Sequence, residues 1–244
     1  MKAVIAIARR ELKSYFLTPV AYVFIVIFLI VANWFAFGFG GLYERGQADL
    51  LPFFGYHPFL FLFLAPALSM RLWAEERRSG SIELLLTLPL EPWQAVLGKF
   101  LAAWCFVALA IALTFPIWLT INFLGSPDNG AILAAYIGSV LTAGGFLAIG
   151  ICVSALTRNQ IIALVISFVI CALLLFAGLS PVLNVFSGWL PASLVDGIAS
   201  LSFLTHFEDI SKGVIDLRDL VYFALLIGSC LFANTLILGI RQAD

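Results

Sequence analysis

Long apolar runs alternate with short polar stretches along this chain. A helix crossing a hydrocarbon core needs about 20 apolar residues. Six segments reach that length, near 17–41, 53–70, 97–123, 131–156, 160–179 and 220–240. The runs are continuous, unlike the alternating strands of a membrane barrel. A seventh apolar segment, 181–205, differs. Pro181, Gly188, Pro191, Asp196 and Gly197 interrupt it, and Asn184, Ser187, Ser193 and Ser200 add polarity. Irregular backbone at membrane depth must be covered by protein or water. A re-entrant or interfacial pair of short helices is therefore expected there rather than a seventh span.

The polar stretches carry their own patterns. In residues 1–16, Val4, Ile5, Ala8 and Leu12 recur at helical spacing while Lys2, Arg9, Arg10 and Lys13 occupy other faces. That predicts an amphipathic helix lying in the membrane interface. The apolar run that follows exceeds the roughly 7–15 residues of a signal-peptide core, so no cleavable leader is expected. Residues 125–130 have turn composition, and 208–219 form a longer polar stretch before the last span.

The strongest charge cluster lies at 71–89, between the second and third spans. It reads as an amphipathic helix held at the membrane surface. Gly80 and Ser81 precede Ile82, Leu84, Leu85 and Leu86, with Glu83 three positions after Gly80. This resembles a capping box, although Gly80 lacks the side chain to complete one. Glu83 would meet the positive end of the helix dipole. Pro89 stops the helix and Pro92 can open the next. So short a helix needs packing to hold it. The leucines suit either a lipid-held amphipathic loop or a helix seated in a partner's groove.

Composition sharpens the class. Hydrophobic residues make up 63% of the 244, mean hydropathy is +1.09, and charged residues are 11%, against roughly 25% in soluble domains. The net charge of −1 says nothing about partners, and no nucleic-acid partner is expected. The distribution of Lys and Arg sets orientation. With six spans, Lys2, Arg9, Arg10, Lys13, Arg71, Arg77, Arg78, Lys99, Arg158 and Arg241 share one side. Arg45, Lys212 and Arg218 take the other. Both termini and the 71–89 island are then cytosolic. Cys105, Cys152, Cys171 and Cys230 lie in apolar runs and read as small buried hydrophobes.

Several chemistries are missing from the sequence. Gly98-Lys99 is followed by Phe100 and lacks the upstream glycine of a phosphate loop, so ATP binding by that device is not expected. Lys99 reads as an anchor snorkelling from the start of span three. His57 and His206 read as isolated outer-side residues, too few for a metal site, and no cofactor is expected. The spans hold almost no ionisable side chains, which argues against a proton pump. They also lack the paired groups an intramembrane enzyme would need. Asn33, Asn122 and Asn234 suit interhelical hydrogen bonds, and Gly144, Gly145, Ala148, Gly150 and Ser154 suit close packing of span four.

The run Glu75-Glu76-Arg77-Arg78-Ser79-Gly80-Ser81-Ile82-Glu83-Leu84-Leu85-Leu86-Thr87-Leu88-Pro89, followed by Gly98-Lys99, resembles the signature of type-2 ABC transporter permeases. The likeness is strongest to the gliding-motility and nitrous-oxide-accessory branch. It extends along the whole chain, including Lys212-Gly213-Val214-Ile215-Asp216-Leu217-Arg218-Asp219. Ser81 departs from the usual threonine but keeps the hydroxyl.

The resemblance implies an all-α polytopic membrane protein of the type V ABC exporter kind. It would form one domain over 1–244, with six transmembrane helices, an N-terminal interfacial helix (1–16), a cytosolic coupling helix (80–88) and outward re-entrant helices (181–205). It implies a non-catalytic permease subunit in the cell membrane, paired with a second copy or a sister permease, and served by two separate ABC ATPase subunits. Contact with the ATPase would fall on Arg78, Gly80, Glu83, Leu84, Leu85 and Leu86. Arg158, in the short 156–159 loop, would add a second contact. Glu75, Glu76 and Arg77 would shape the approach. A structural or assembly subunit of an envelope complex is the alternative, because it would use the same cytosolic contact.

Overall fold

The computed structural model describes residues 1–42, 44–80, 91–187 and 191–243. Thirteen helices are described: α1 (Lys2–Leu17), α2 (Pro19–Trp34), α3 (Leu51–Phe54), α4 (His57–Ser69), α5 (Arg71–Ser79), α6 (Pro92–Ala112), α7 (Phe115–Leu124), α8 (Asn129–Leu156), α9 (Gln160–Phe176), α10 (Ser180–Ser187), α11 (Ala192–Ala199), α12 (Phe203–Ser211) and α13 (Leu217–Ala243). No strand occurs among the described residues. A π-helical turn, Phe35–Phe39, prolongs α2.

Among the described residues, five helical stretches are long and apolar enough to cross a membrane: Pro19–Phe39, Leu51–Ser79, Pro92–Leu124, Asn129–Leu156 and Leu217–Ile240. The sixth, Gln160–Phe176, has 17 residues, a little short of a full crossing at about 1.5 Å per residue. The chain is thus a multi-pass helical membrane protein with five to six apolar helices.

Prolines set several boundaries. Thr18 is extended (φ −108°, ψ 143°) because Pro19 follows it, and Pro19 then opens α2. Span one therefore starts at Pro19, not at residue 17. Pro92 likewise opens α6 five residues earlier than the hydropathy implied. Pro116 interrupts the third stretch by denying an amide to the ladder. There the Thr114 hydroxyl donates to the Ile111 carbonyl (2.6 Å) and bonds the Tyr136 hydroxyl (2.9 Å). The 181–205 region is not one helix. It breaks into α10, α11 and the start of α12.

The bundle is organised around α8, which packs on α4, α6, α9, α12 and α13. Its small residues explain this position. A Cβ at Gly144 would come 2.8 Å from Trp104 Nε1, and one at Gly145 would lie 2.5 Å from the Phe203 ring. A Cβ at Gly150 would fall 1.9 Å from Ser69 Oγ. Each glycine lets a neighbouring helix approach more closely than any larger residue would allow. The Trp104 indole N–H donates to the Val140 carbonyl at 2.8 Å, fixing α6 on α8.

Helix α1 differs from expectation in its packed face. Val4, Ile7 and Tyr15 are buried, whereas Ile5 is 62% exposed. The face 4-7-11-15 lies lengthwise along α6, with Ile7 over Gly98 and Tyr15 against Phe106. The cysteines are unpaired, but only Cys171 is fully buried and Cys105 is exposed.

Candidate functional site

The charged island begins as a continuation of span two. Helix α5 follows α4 after a single break at Met70. A helix start leaves backbone amides without partners. Here another helix supplies one. Ser154 Oγ of α8 accepts from the amides of Trp73 (3.2 Å) and Ala74 (3.1 Å) and donates to the Met70 carbonyl (2.8 Å). Leu72, Trp73 and Ala74 are buried by this seating.

Arg77 makes the converse contact. Its guanidinium donates to the Ala155 carbonyl at 2.7 Å. Ala155 lies in the last turn of α8, where carbonyls lack intrahelical partners and the dipole is negative. Arg77 therefore caps α8 while anchoring α5.

Lys99 is 2% exposed. Its ammonium lies 2.7 Å from Glu76 Oε1, 3.5 Å from Glu11 Oε1, and 5.0 Å above the Trp73 ring. The expected snorkelling anchor is thus a buried hub, because α1 and α5 close over it. Burial alone would raise the Glu11 carboxyl, but Lys99 and Arg10 outweigh it and hold the group below its ordinary value. Lys99 joins α1, α5 and α6 through one cation.

Gly80 ends α5 at φ 74° in the left-handed region. It is the C-cap of the preceding helix. Arg77 and Arg78 sit in the last turn of α5, favourably for the dipole. Glu75 and Arg78 are exposed, and Glu76 is half-buried. Glu83, Leu84, Leu85 and Leu86, and the coupling helix expected from Ser81 onward, lie outside the described residues.

The 156–159 loop stands at the same end of the bundle, directly after Ala155. Asn159 caps α9 by accepting from the Ile161 amide at 2.9 Å, and Arg158 is exposed. Arg78 and Arg158 thus project from two elements that the Arg77–Ala155 contact ties together. Sequence reasoning missed Glu11, Trp73 and Ser154. The 4-7-11-15 spacing, which puts Glu11 on an otherwise apolar face, was the available signal for the first.

The histidines are not isolated. His57 is fully buried among Phe28, Phe53, Phe54 and Phe61, with Nδ1 2.8 Å from Ser139 Oγ. His206 lies between Asp219 Oδ1 (2.5 Å) and the Ser200 carbonyl (2.9 Å), stacked on Tyr222. No group of three or more metal-ligating side chains occurs among the described residues. Asn33 bonds the Leu29 carbonyl of its own helix, not a neighbour's, and Asn122 bonds both Trp118 of its own helix and Asn129 of α8. Asn234 is buried with no hydrogen-bond partner among the described residues.

Residues 44–238 match the family model described as ABC-2 family transporter protein. No curated protein matches the chain. The match covers well over half of the sequence, and the chain belongs to the ABC-2 family of transporter proteins.

Proposed function

We propose that this membrane permease component of an ABC transporter receives its driving force through the bundle end formed by α5, Gly80 and the 156–159 loop. The family implies an ABC ATPase as partner. The observation that carries the reading is the double tie of α5. Lys99 bonds it to α1 and α6, while Ser154 and Arg77 bond it to α8. A push on α5 would reach three other helices without slack.

In this reading Arg78, Gly80, Glu83, Leu84, Leu85 and Leu86 meet a groove on the ATPase, and Arg158 meets the same subunit. Glu75, Glu76 and Arg77 shape the approach. The excess of Lys and Arg on this side supports a cytosolic location for it and for both termini. Two permease chains and two ATPases form the working unit, of the gliding-motility and nitrous-oxide-accessory branch, and the direction is export. Helices α10 and α11 close the outward exit. Coupling requires the ATPase to bind two membrane conformations with different affinity.

The test is co-purification of the tagged chain with an ABC ATPase, followed by Glu83→Arg. The variant should cut ATPase stimulation by about tenfold, equivalent to about 1.4 kcal/mol, with the spans still folded. Wild-type stimulation in that variant would remove Glu83 from the contact. Because an assembly subunit would use the same cytosolic contact, ATP-driven substrate movement by the complex is the measurement that separates the two roles.

A further inference from the structure

A groove of about 270 Å³ runs between α2 and α4. Val20, Phe24 and Ile27 form one wall, and Leu64 and Leu68 the other. No acidic side chain lines it among the described residues. Its volume is below the roughly 300–1,000 Å³ of sites that enclose a whole small molecule. It can hold one stretch of a chain whose remainder stays in the bilayer.

One end of the groove is polar. Tyr15 and Arg71 line it there, and the same two residues line an adjoining polar cavity of about 260 Å³ that contains Glu75. Tyr15 is 6% exposed, and its hydroxyl has no hydrogen-bond partner among the described residues. Burial, with Glu11 adding to it, pushes this phenol above its ordinary value despite Arg71, so it stays a protonated donor. A buried donor left unmade is costly. Arg71 and Glu75 form no ion pair with any described residue. Glu76, in contrast, has Lys99.

We propose that this groove and cavity seat a membrane phospholipid with a zwitterionic, primary-ammonium headgroup. Its chain lies along Phe24 and Leu64, its phosphate accepts from Arg71 and Tyr15, and its ammonium donates to Glu75. The order of charges decides the class. Arg71 stands beside the apolar groove and Glu75 one turn further on, in the polar cavity. A phosphoethanolamine head carries its charges in the complementary order. A guanidinium forks onto a phosphate. A purely anionic head would leave Glu75 unanswered, and a choline head offers it no N–H donor.

Native mass spectrometry of the full chain in detergent, titrated with phosphatidylethanolamine, phosphatidylcholine and phosphatidylglycerol of identical chains, tests this. Phosphatidylethanolamine should bind about fivefold more tightly than the other two, the upper range for a contact to an exposed carboxylate. Glu75→Gln should abolish that preference. Arg71→Gln and Tyr15→Phe should weaken all three lipids. Glu75 is exposed, so its variant does not endanger the fold. Equal affinities in the native chain, a preference that survives Glu75→Gln, or a second copy of the chain covering Arg71 would overturn the proposal. None of these outcomes depends on ATPase coupling.

Discussion

The α5 corner and the His206 corner are both fastened by buried or half-buried polar contacts, but the contacts differ in reach. At the α5 end, Lys99 meets Glu11 across 88 residues, and Arg77 meets Ala155 across 78. At the second corner, His206 meets Ser200 and Asp219, only 6 and 13 residues away. The first set staples helices that the chain itself leaves far apart. The second fixes a corner between α12 and α13 that the chain already keeps close. A force applied to α5 therefore has several helices to move, whereas a rearrangement around His206 can stay local.

That contrast can be broken by substitution. The largest effect is expected for Lys99→Met, which removes the buried ammonium that Glu76 and Glu11 share. Removing one partner of a buried pair costs about 3–5 kcal/mol, and the partial exposure of both glutamates lowers this to about 2–3 kcal/mol. Thermal unfolding in detergent measures it, and a loss below about 0.5 kcal/mol would deny Lys99 its role as hub. Next comes Ser154→Ala, which strips the amides of Trp73 and Ala74 of their acceptor. It should cost about 1–3 kcal/mol and speed amide exchange at the start of α5. Asp219→Asn should cost about 1 kcal/mol and leave exchange in α5 unchanged. A change in α5 there would show that the two corners are not separable.

The smallest effect concerns pH. Glu11 has a lowered folded-state value, so its contribution is present above the ordinary carboxylate value of about 4.3. It is lost as pH falls through the lowered folded value. A stability profile of the native chain should steepen in that acid range, and the profile of Lys99→Met should steepen less, with only Arg10 left to act on Glu11.

Much of this was legible in the sequence. Continuous apolar runs identified the membrane helices, and the glycines of 144–150 marked α8 as the helix that others pack against. Gly144 and Gly150 carry that signal because a missing Cβ can be read without coordinates. The polar site was less legible. Lys99 at the start of a span looks the same whether it snorkels or is covered, and only the placement of α1 decides between them. Ser154 reads as one more small residue until α5 presents its amides. Gly80 sits between two candidate helices, and its φ of 74° assigns it to the first. The 181–205 breakers did foretell interrupted helices: Pro191, extended just before α11, acts locally, although Gly197 lies within α11. His57 and His206 read as isolated because hydropathy does not show the partner of a buried polar ring, whether it is 82 residues away (Ser139) or 13 residues away on the next helix (Asp219).

The central claim is that α5 and the 156–159 loop form one contact face for an ABC ATPase. The most direct measurement is cysteine cross-linking in the assembled transporter, with the four native cysteines replaced by alanine. Arg78→Cys and Arg158→Cys are each tested against the ATPase. The account predicts that both positions cross-link to the ATPase, with yields that change when nucleotide is added. Cross-linking from neither position, with the complex intact, would contradict it.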